Sequence, residues 1–212
     1  MSQDHQNSIT VIGHTKEMEP SDSDLWARSR AGDADAFGVL FERHAKLIYN
    51  YCFRRTGDRA TAEDLLSVVF LEAWRHRDRE LPPGKVLPWL YGIATNVIRN
   101  QRRSERRFLA AVSRLTAVDA ESDLADRAAE RLDYEQQAEE ALRRLRTLPK
   151  REQDVLVLCI AMELSYEDAA FALNVPIGTV RSRLSSARAR LRELNLDFGH
   201  EKGESTNVKE AR

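Results

Sequence analysis

The chain has 212 residues, of which 42% are hydrophobic and 32% charged, and its formal net charge is −1. That length suits one or two small domains, and without a run of about 18 apolar residues no membrane-spanning helix is predicted. Two distant cysteines in apolar stretches, Cys52 and Cys159, and five scattered histidines exclude a disulfide framework and give no basis for a metal site or a cofactor.

Residues 1–21 are polar and acidic and lack an apolar segment, so they read as a disordered tail and not as a secretory signal; a cytoplasmic location is expected. The next signals are helical. Phe37, Leu40, Phe41, His44, Leu47, Ile48 and Tyr51 fall on one stripe, with Asp33 placed to cap it and Gly57 to stop it. Leu65, Leu66, Val69, Phe70, Ala73 and Trp74 form a second stripe that Asp58 can cap. Leu81-Pro82-Pro83-Gly84 is a loop, and Pro88 suits the first turn of a third helix running from Trp89 to about Arg107. No alternating strand pattern appears. Residues 22–115 therefore read as a helical bundle.

An acidic, alanine-rich stretch follows and is expected to be a flexible linker over 116–133. A second helical domain is expected over 134–196, and a disordered polar tail over 197–212. In that second domain Ser165 can cap a short helix with Glu167 and Asp168 in its first turn. Asn174-Val175-Pro176 breaks it, and a new helix opens near Ile177-Gly178-Thr179. This is a helix-turn-helix, whose second helix can enter a major groove. One side of that helix offers Thr179, Arg181, Ser182, Arg183, Ser185, Ser186 and Arg188; arginine pairs with guanine edges or phosphates, and the hydroxyls suit either.

The small net charge conceals segregation. From Arg99 to Arg114 there are six arginines against Glu105, and from Gly178 to Arg192 five arginines and no acid, while Ala117 to Leu132 carries five acids against two arginines. Two basic patches separated by an acidic stretch suggest a polyanion held at two places. The alternative is a pair of solvated helix faces.

The run from Ala62-Glu63-Asp64-Leu65-Leu66 to Leu71-Glu72-Ala73-Trp74, then Pro88-Trp89-Leu90-Tyr91-Gly92-Ile93-Ala94-Thr95-Asn96 and the basic Arg99 to Arg107 segment, resembles region two of extracytoplasmic-function sigma factors. Leu148-Pro149 through Leu164-Ser165-Tyr166, then Pro176-Ile177-Gly178-Thr179-Val180-Arg181-Ser182-Arg183-Leu184, resembles their region four. The resemblance spans about residues 22 to 195 and implies an all-α protein of two small domains joined by a flexible linker. It implies a non-enzymatic subunit that binds core RNA polymerase, directs it to promoters and promotes melting. Asp64, Leu65, Ser67, Val68 and Glu72 would meet the clamp helices of the polymerase's largest subunit, with the flap as a further contact. Asn96, Arg99, Asn100, Arg102 and Arg103 would take the minus-10 element, an amide reading an unstacked base while arginines follow phosphates. Trp89 and Tyr91 are candidates for stacking on bases, with Trp89 better suited to a core anchor. The arginine- and serine-rich second helix would read the minus-35 element, and an anti-sigma factor is an implied partner. Ser67 departs from a frequent glutamine, Val86-Leu87 replaces the usual phenylalanine before Pro-Trp, and Ser185-Ser186 lacks a basic residue common there.

A stand-alone LuxR-like regulator would account for Leu148 to Leu191 alone, but needs a sensor domain where this chain has an all-helical basic one. An enzyme acting on nucleic acid needs a carboxylate cluster, a nucleophile with its base or a glycine-rich phosphate loop, and the sequence supplies none.

Overall fold

The computed structural model describes residues 19–115, 143 and 145–193, and every regular element among them is helical. The first bundle consists of α1 (Asp22–Arg30), α2 (Ala34–Thr56), α3 (Arg59–Arg75) and α4 (Val86–Leu115). Short polar side chains start three of them. Ser21 Oγ accepts from the Asp24 backbone N–H at 3.2 Å while Asp24 accepts from the Ser21 N–H, a capping box. Asp33 accepts from the Ala36 N–H at 3.0 Å and Asp58 from the Thr61 N–H at 2.8 Å. Gly57, at φ 75°, ends α2 in the left-handed conformation that glycine adopts without strain.

The third helix of the sequence reading is longer than expected, starting at Val86 and reaching Leu115. Pro88 is its third residue, where a missing N–H leaves no intrahelical bond unmade. The first helix, α1, has no counterpart in the periodicity reading. It contributes Leu25 and Trp26 to the core. The Trp26 and Trp89 rings meet edge to face with centroids 4.8 Å apart, and Trp26 Nε1 donates to the Arg79 carbonyl at 3.0 Å. Tyr51 packs against Tyr91 and its hydroxyl lies 2.7 Å from Thr95 Oγ1; burial pushes the Tyr51 hydroxyl up to about 12.

The second bundle comprises α5 (Lys150–Leu156), a π-helical turn (Val157–Ala161), α6 (Tyr166–Leu173) and α7 (Ile177–Glu193). Pro149 cannot cap α5 with a side chain, but Gln153 donates to the carbonyls of Leu148 and Arg146, at 2.7 and 3.0 Å. Ser165 caps α6 by accepting from the Asp168 N–H at 3.0 Å, and Asn174 closes it at φ 51°. Val180, Leu184, Ala187 and Leu191 form the buried side of α7.

The two bundles do not stand apart. Helix α4 packs against α6, and α2 against the π-helical turn, so buried residues of both halves form one continuous core. The expected linker over 116–133 and tail over 197–212 fall outside the described residues.

Candidate nucleic-acid interface

Helix α7 shows how a basic surface arises from pattern. Its apolar side is taken up by its own bundle, which turns Arg181, Ser182, Ser185 and Ser186 to solvent and leaves Thr179, Arg183 and Arg188 half-buried at the margins. Ser182 Oγ donates back to the Thr179 carbonyl at 3.1 Å. Together with α6 and the Asn174 corner this is the helix-turn-helix anticipated from the sequence, its second helix open along one side.

On α4 the sequence-chosen residues divide. Asn96, Asn100 and Arg103 are exposed. Arg99 is not free: its Nε and one terminal nitrogen donate to Asp154 Oδ2 at 3.2 and 2.6 Å. Arg102 donates to the backbone carbonyl of Arg55. Burial, and then the neighbouring Arg55 charge, hold the Arg102 guanidinium below its usual value. Arg106 and Arg107 continue the basic side in solvent. Trp89 and Tyr91 require a correction as stacking candidates. Trp89 is 7% exposed and Tyr91 1%, because both belong to the apolar stripe that anchors α4, so neither ring has a face to offer a base.

On α3, Asp64 and Ser67 are exposed, and Val68 is 41% exposed. Glu72 is half-buried and pairs with Arg75 at 2.7 Å and His76 at 3.6 Å. Leu65, 3% exposed, supports this side from within and presents no surface of its own. Phe41 and Leu47, placed on the apolar stripe of α2 by the sequence, are also exposed, as are Val39 on α2 and Leu71 on α3, which the sequence did not mark as contact residues; Phe41 leans on Phe70 with ring centroids 4.8 Å apart. Exposed apolar side chains beside acids make a surface suited to a protein partner.

Four further residues were missed, Arg55, Gln153, Asp154 and Lys85, and Asp168, read as a first-turn acid of α6, has a partner across the seam between the bundles. The Arg55 and Asp154 side chains are each 1% exposed and meet at 2.5 Å, while Arg55 also donates to Gln153 Oε1 at 2.6 Å. Lys85 Nζ reaches Asp168 Oδ1 at 2.7 Å. Among the described residues no group of histidine, cysteine and acidic side chains is placed to hold a metal ion, and no helix is long and apolar enough to cross a membrane.

Comparison with known proteins agrees with both halves. Residues 40–108 match sigma-70 region 2, and residues 138–191 match sigma-70 region 4. The RNA polymerase sigma factor HrpL of Pseudomonas syringae is 34% identical over 66% of this chain and 76% of its own. The ECF RNA polymerase sigma factor SigE of Mycolicibacterium smegmatis is 30% identical over 89% of this chain and 74% of its own. Among solved structures, the sigma factor RpoE of Bartonella quintana, crystallised with the anti-sigma factor NepR, is 27% identical; the match covers 75% of this chain and 96% of that one at a TM-score of 0.60. The chain belongs to the sigma-70 family, in its extracytoplasmic-function group, whose members direct RNA polymerase to promoters. The match of its first half to region 2 leaves the LuxR-like alternative without support.

Proposed function

We propose that the three surfaces divide the work of initiation. The α2–α3 surface, with Asp64, Ser67, Val68 and Glu72 beside exposed apolar side chains, docks on the clamp helices of the polymerase's largest subunit, and the second bundle meets the flap. Asn96, Arg99, Asn100, Arg102 and Arg103 on α4 take the minus-10 strand, Asn96 reading a base and the arginines its phosphates. The open side of α7 reads the minus-35 element in a major groove. The chain has no catalytic activity of its own and acts from within the cytoplasm. Domain limits of 22–115 and 134–196 fit this division.

One observation carries the reading: a single chain holds the region 2 and region 4 helices in order, and each turns arginine-rich surface outward. The solved relative bound to an anti-sigma factor supports the same partner class here. The test is reconstitution. Added to core polymerase, the purified chain should co-elute with it and give promoter-specific transcripts from genomic DNA. Failure both to bind core and to initiate overturns the proposal.

A further inference from the structure

We propose that the seam between the two bundles is a binding competition within the chain: Asp154 of region 4 occupies an α4 arginine that otherwise takes a phosphodiester backbone, so DNA and region 4 exclude each other there. This rests on the reading of α4 given above and adds to it a competitor that the chain itself supplies.

The seam follows one stripe of α4. Lys85, Gly92 and Arg99 are seven residues apart, two helical turns, and so lie on nearly the same side. At one end Lys85 pairs with Asp168 at 2.7 Å. In the middle a Cβ built on Gly92 would stand 2.6 Å from the carbonyl oxygen of Ala172, so the backbone of α6 lies directly on α4. At the other end Asp154 uses both carboxylate oxygens, one for Arg55 at 2.5 Å and one for Arg99 at 2.6 Å.

A guanidinium edge that grips a carboxylate through two N–H groups is the edge that grips a phosphate. Arg99 directs that edge at Asp154, through Nε and a terminal nitrogen. Asn96 lies on the same side of α4, within roughly 60° of both Gly92 and Arg99 at 100° per residue, and is exposed at the margin of the seam. A strand that reaches Asn96 and Arg99 together must approach the side that α6 covers. Helix α7 differs, since Arg181, Ser182, Ser185 and Ser186 stay exposed in the packed arrangement. Closure therefore withholds one DNA surface and leaves the other available.

The seam is also built to part. Beside its apolar packing it holds one ion pair withdrawn from water, Arg55–Asp154, whose attraction is offset by desolvation, while Lys85–Asp168 and Arg99 stay partly exposed and screened. Arg55, Arg102, Arg146 and Lys150 crowd one carboxylate, Asp154, and Lys150 is held down at about 8 by burial and then by those three arginines. A polyanion, or separation of the bundles, relieves that crowding.

The full-length chain can be tested with its natural residues. A carbodiimide should join the Lys85 amine to the Asp168 carboxylate as an amide, with loss of water, and mass spectrometry reads the cross-linked peptides. Binding is read by anisotropy with a short single-stranded thymidine oligonucleotide. Two variants open the seam differently: Asp154→Asn weakens the ionic grip, and Gly92→Ala inserts a wedge while leaving every charge in place. Circular dichroism checks that each is folded, and Gly92→Ala serves alone if Asp154→Asn is not. Both should lose most of the cross-link. If the parted form is about a tenth of the population, both should bind the oligonucleotide about tenfold tighter, and adding Arg99→Ala should abolish the gain. Excess oligonucleotide should suppress the cross-link in the unaltered chain. No cross-link in that chain, a cross-link that survives both variants, or a lost cross-link without tighter binding each overturns the competition. Promoter-specific initiation by the unaltered chain with core polymerase is read separately: its presence beside any of those results sinks the competition alone, and its absence sinks the functional reading.

Discussion

Helices α4 and α7 carry similar arginine-rich sequences in opposite circumstances. On α7 the apolar side is satisfied within its own bundle and the leading arginine, Arg181, faces solvent. On α4 the apolar side is satisfied too, yet Arg99 and Arg102 are drawn into contacts across and beside the seam, while Arg103, Arg106 and Arg107 are exposed. The count of arginines is therefore a poor measure of the charge available to a polyanion; what decides is whether a carboxylate or a backbone carbonyl of the same chain can reach them first.

The largest expected effect tests whether the two bundles, joined by one continuous core, can still work apart. Trp89→Ala removes a ring that is 7% exposed and packed on Trp26. It should destabilise the first bundle by about 3–5 kcal/mol, seen in chemical denaturation, and should abolish α4-dependent melting while α7 keeps binding minus-35 duplex. Equal loss of both activities would mean that the bundles do not act as separate units.

Next comes the seam. Asp154→Ala strands Arg55, whose side chain is 1% exposed, and an unpaired buried charge costs about 3–5 kcal/mol. Parting of the bundles rehydrates Arg55, so the measured loss should stop at the opening free energy and fall below that figure. A full loss, with both bundles unfolding together, would show that the seam cannot open without unfolding.

A smaller effect compares the DNA contacts themselves. Arg181→Ala should weaken promoter binding by about 1–3 kcal/mol if it reads a base, with relaxed preference at one minus-35 position. Arg103→Ala should weaken binding on all sequences and lower the log-log salt slope by about 0.9 if it neutralises one phosphate. Arg99→Ala should show less than Arg103→Ala in the packed chain and a comparable loss in Gly92→Ala. Identical behaviour in both backgrounds would remove the seam from the DNA-binding balance.

The contrast between the helices also marks what was legible in the sequence. Helix starts at Asp33, Asp58 and Ser165 and the stop at Gly57 were legible because capping is local chemistry between residues three or four apart. So was the turn at Asn174-Val175-Pro176, since proline and a left-handed asparagine punctuate a chain wherever they occur. Helix α1 was missed although Ser21 and Asp24 stand at capping-box spacing; it is nine residues long, too short for a clear apolar period. The seam was illegible for a different reason. Arg55 and Asp154 are 99 residues apart, and each taken singly looks like a surface residue. Gly92 was the one available hint, because glycine inside a helix costs about 1 kcal/mol relative to alanine and needs a reason such as close backbone approach.

The smallest effect concerns pH and separates the seam from both DNA surfaces. Lys150 faces Arg55 on α2, Arg102 on α4, Arg146 just ahead of α5, and Asp154 on α5. Burial, followed by the three arginines, lowers it from 10.5 to about 8, with Asp154 opposing. In the parted form the arginines of α2 and α4 withdraw and Lys150 moves back toward its ordinary value. Between about 8 and 10.5 the packed form then binds fewer protons than the parted form, so rising pH favours packing. The penalty of holding a charged Lys150 beside those arginines is fully present below that window and is relieved across it. Cys159, raised to about 11, and Tyr51, raised to about 12, lie above it and do not share the effect. The average dimension of the chain in small-angle scattering should therefore shrink between about pH 7 and about pH 9.5, and Lys150→Met should be compact at both. A chain whose dimension is unchanged across that range, or a Lys150→Met variant that still responds, would place the titrating group elsewhere and leave Lys150 outside the balance between the two arrangements.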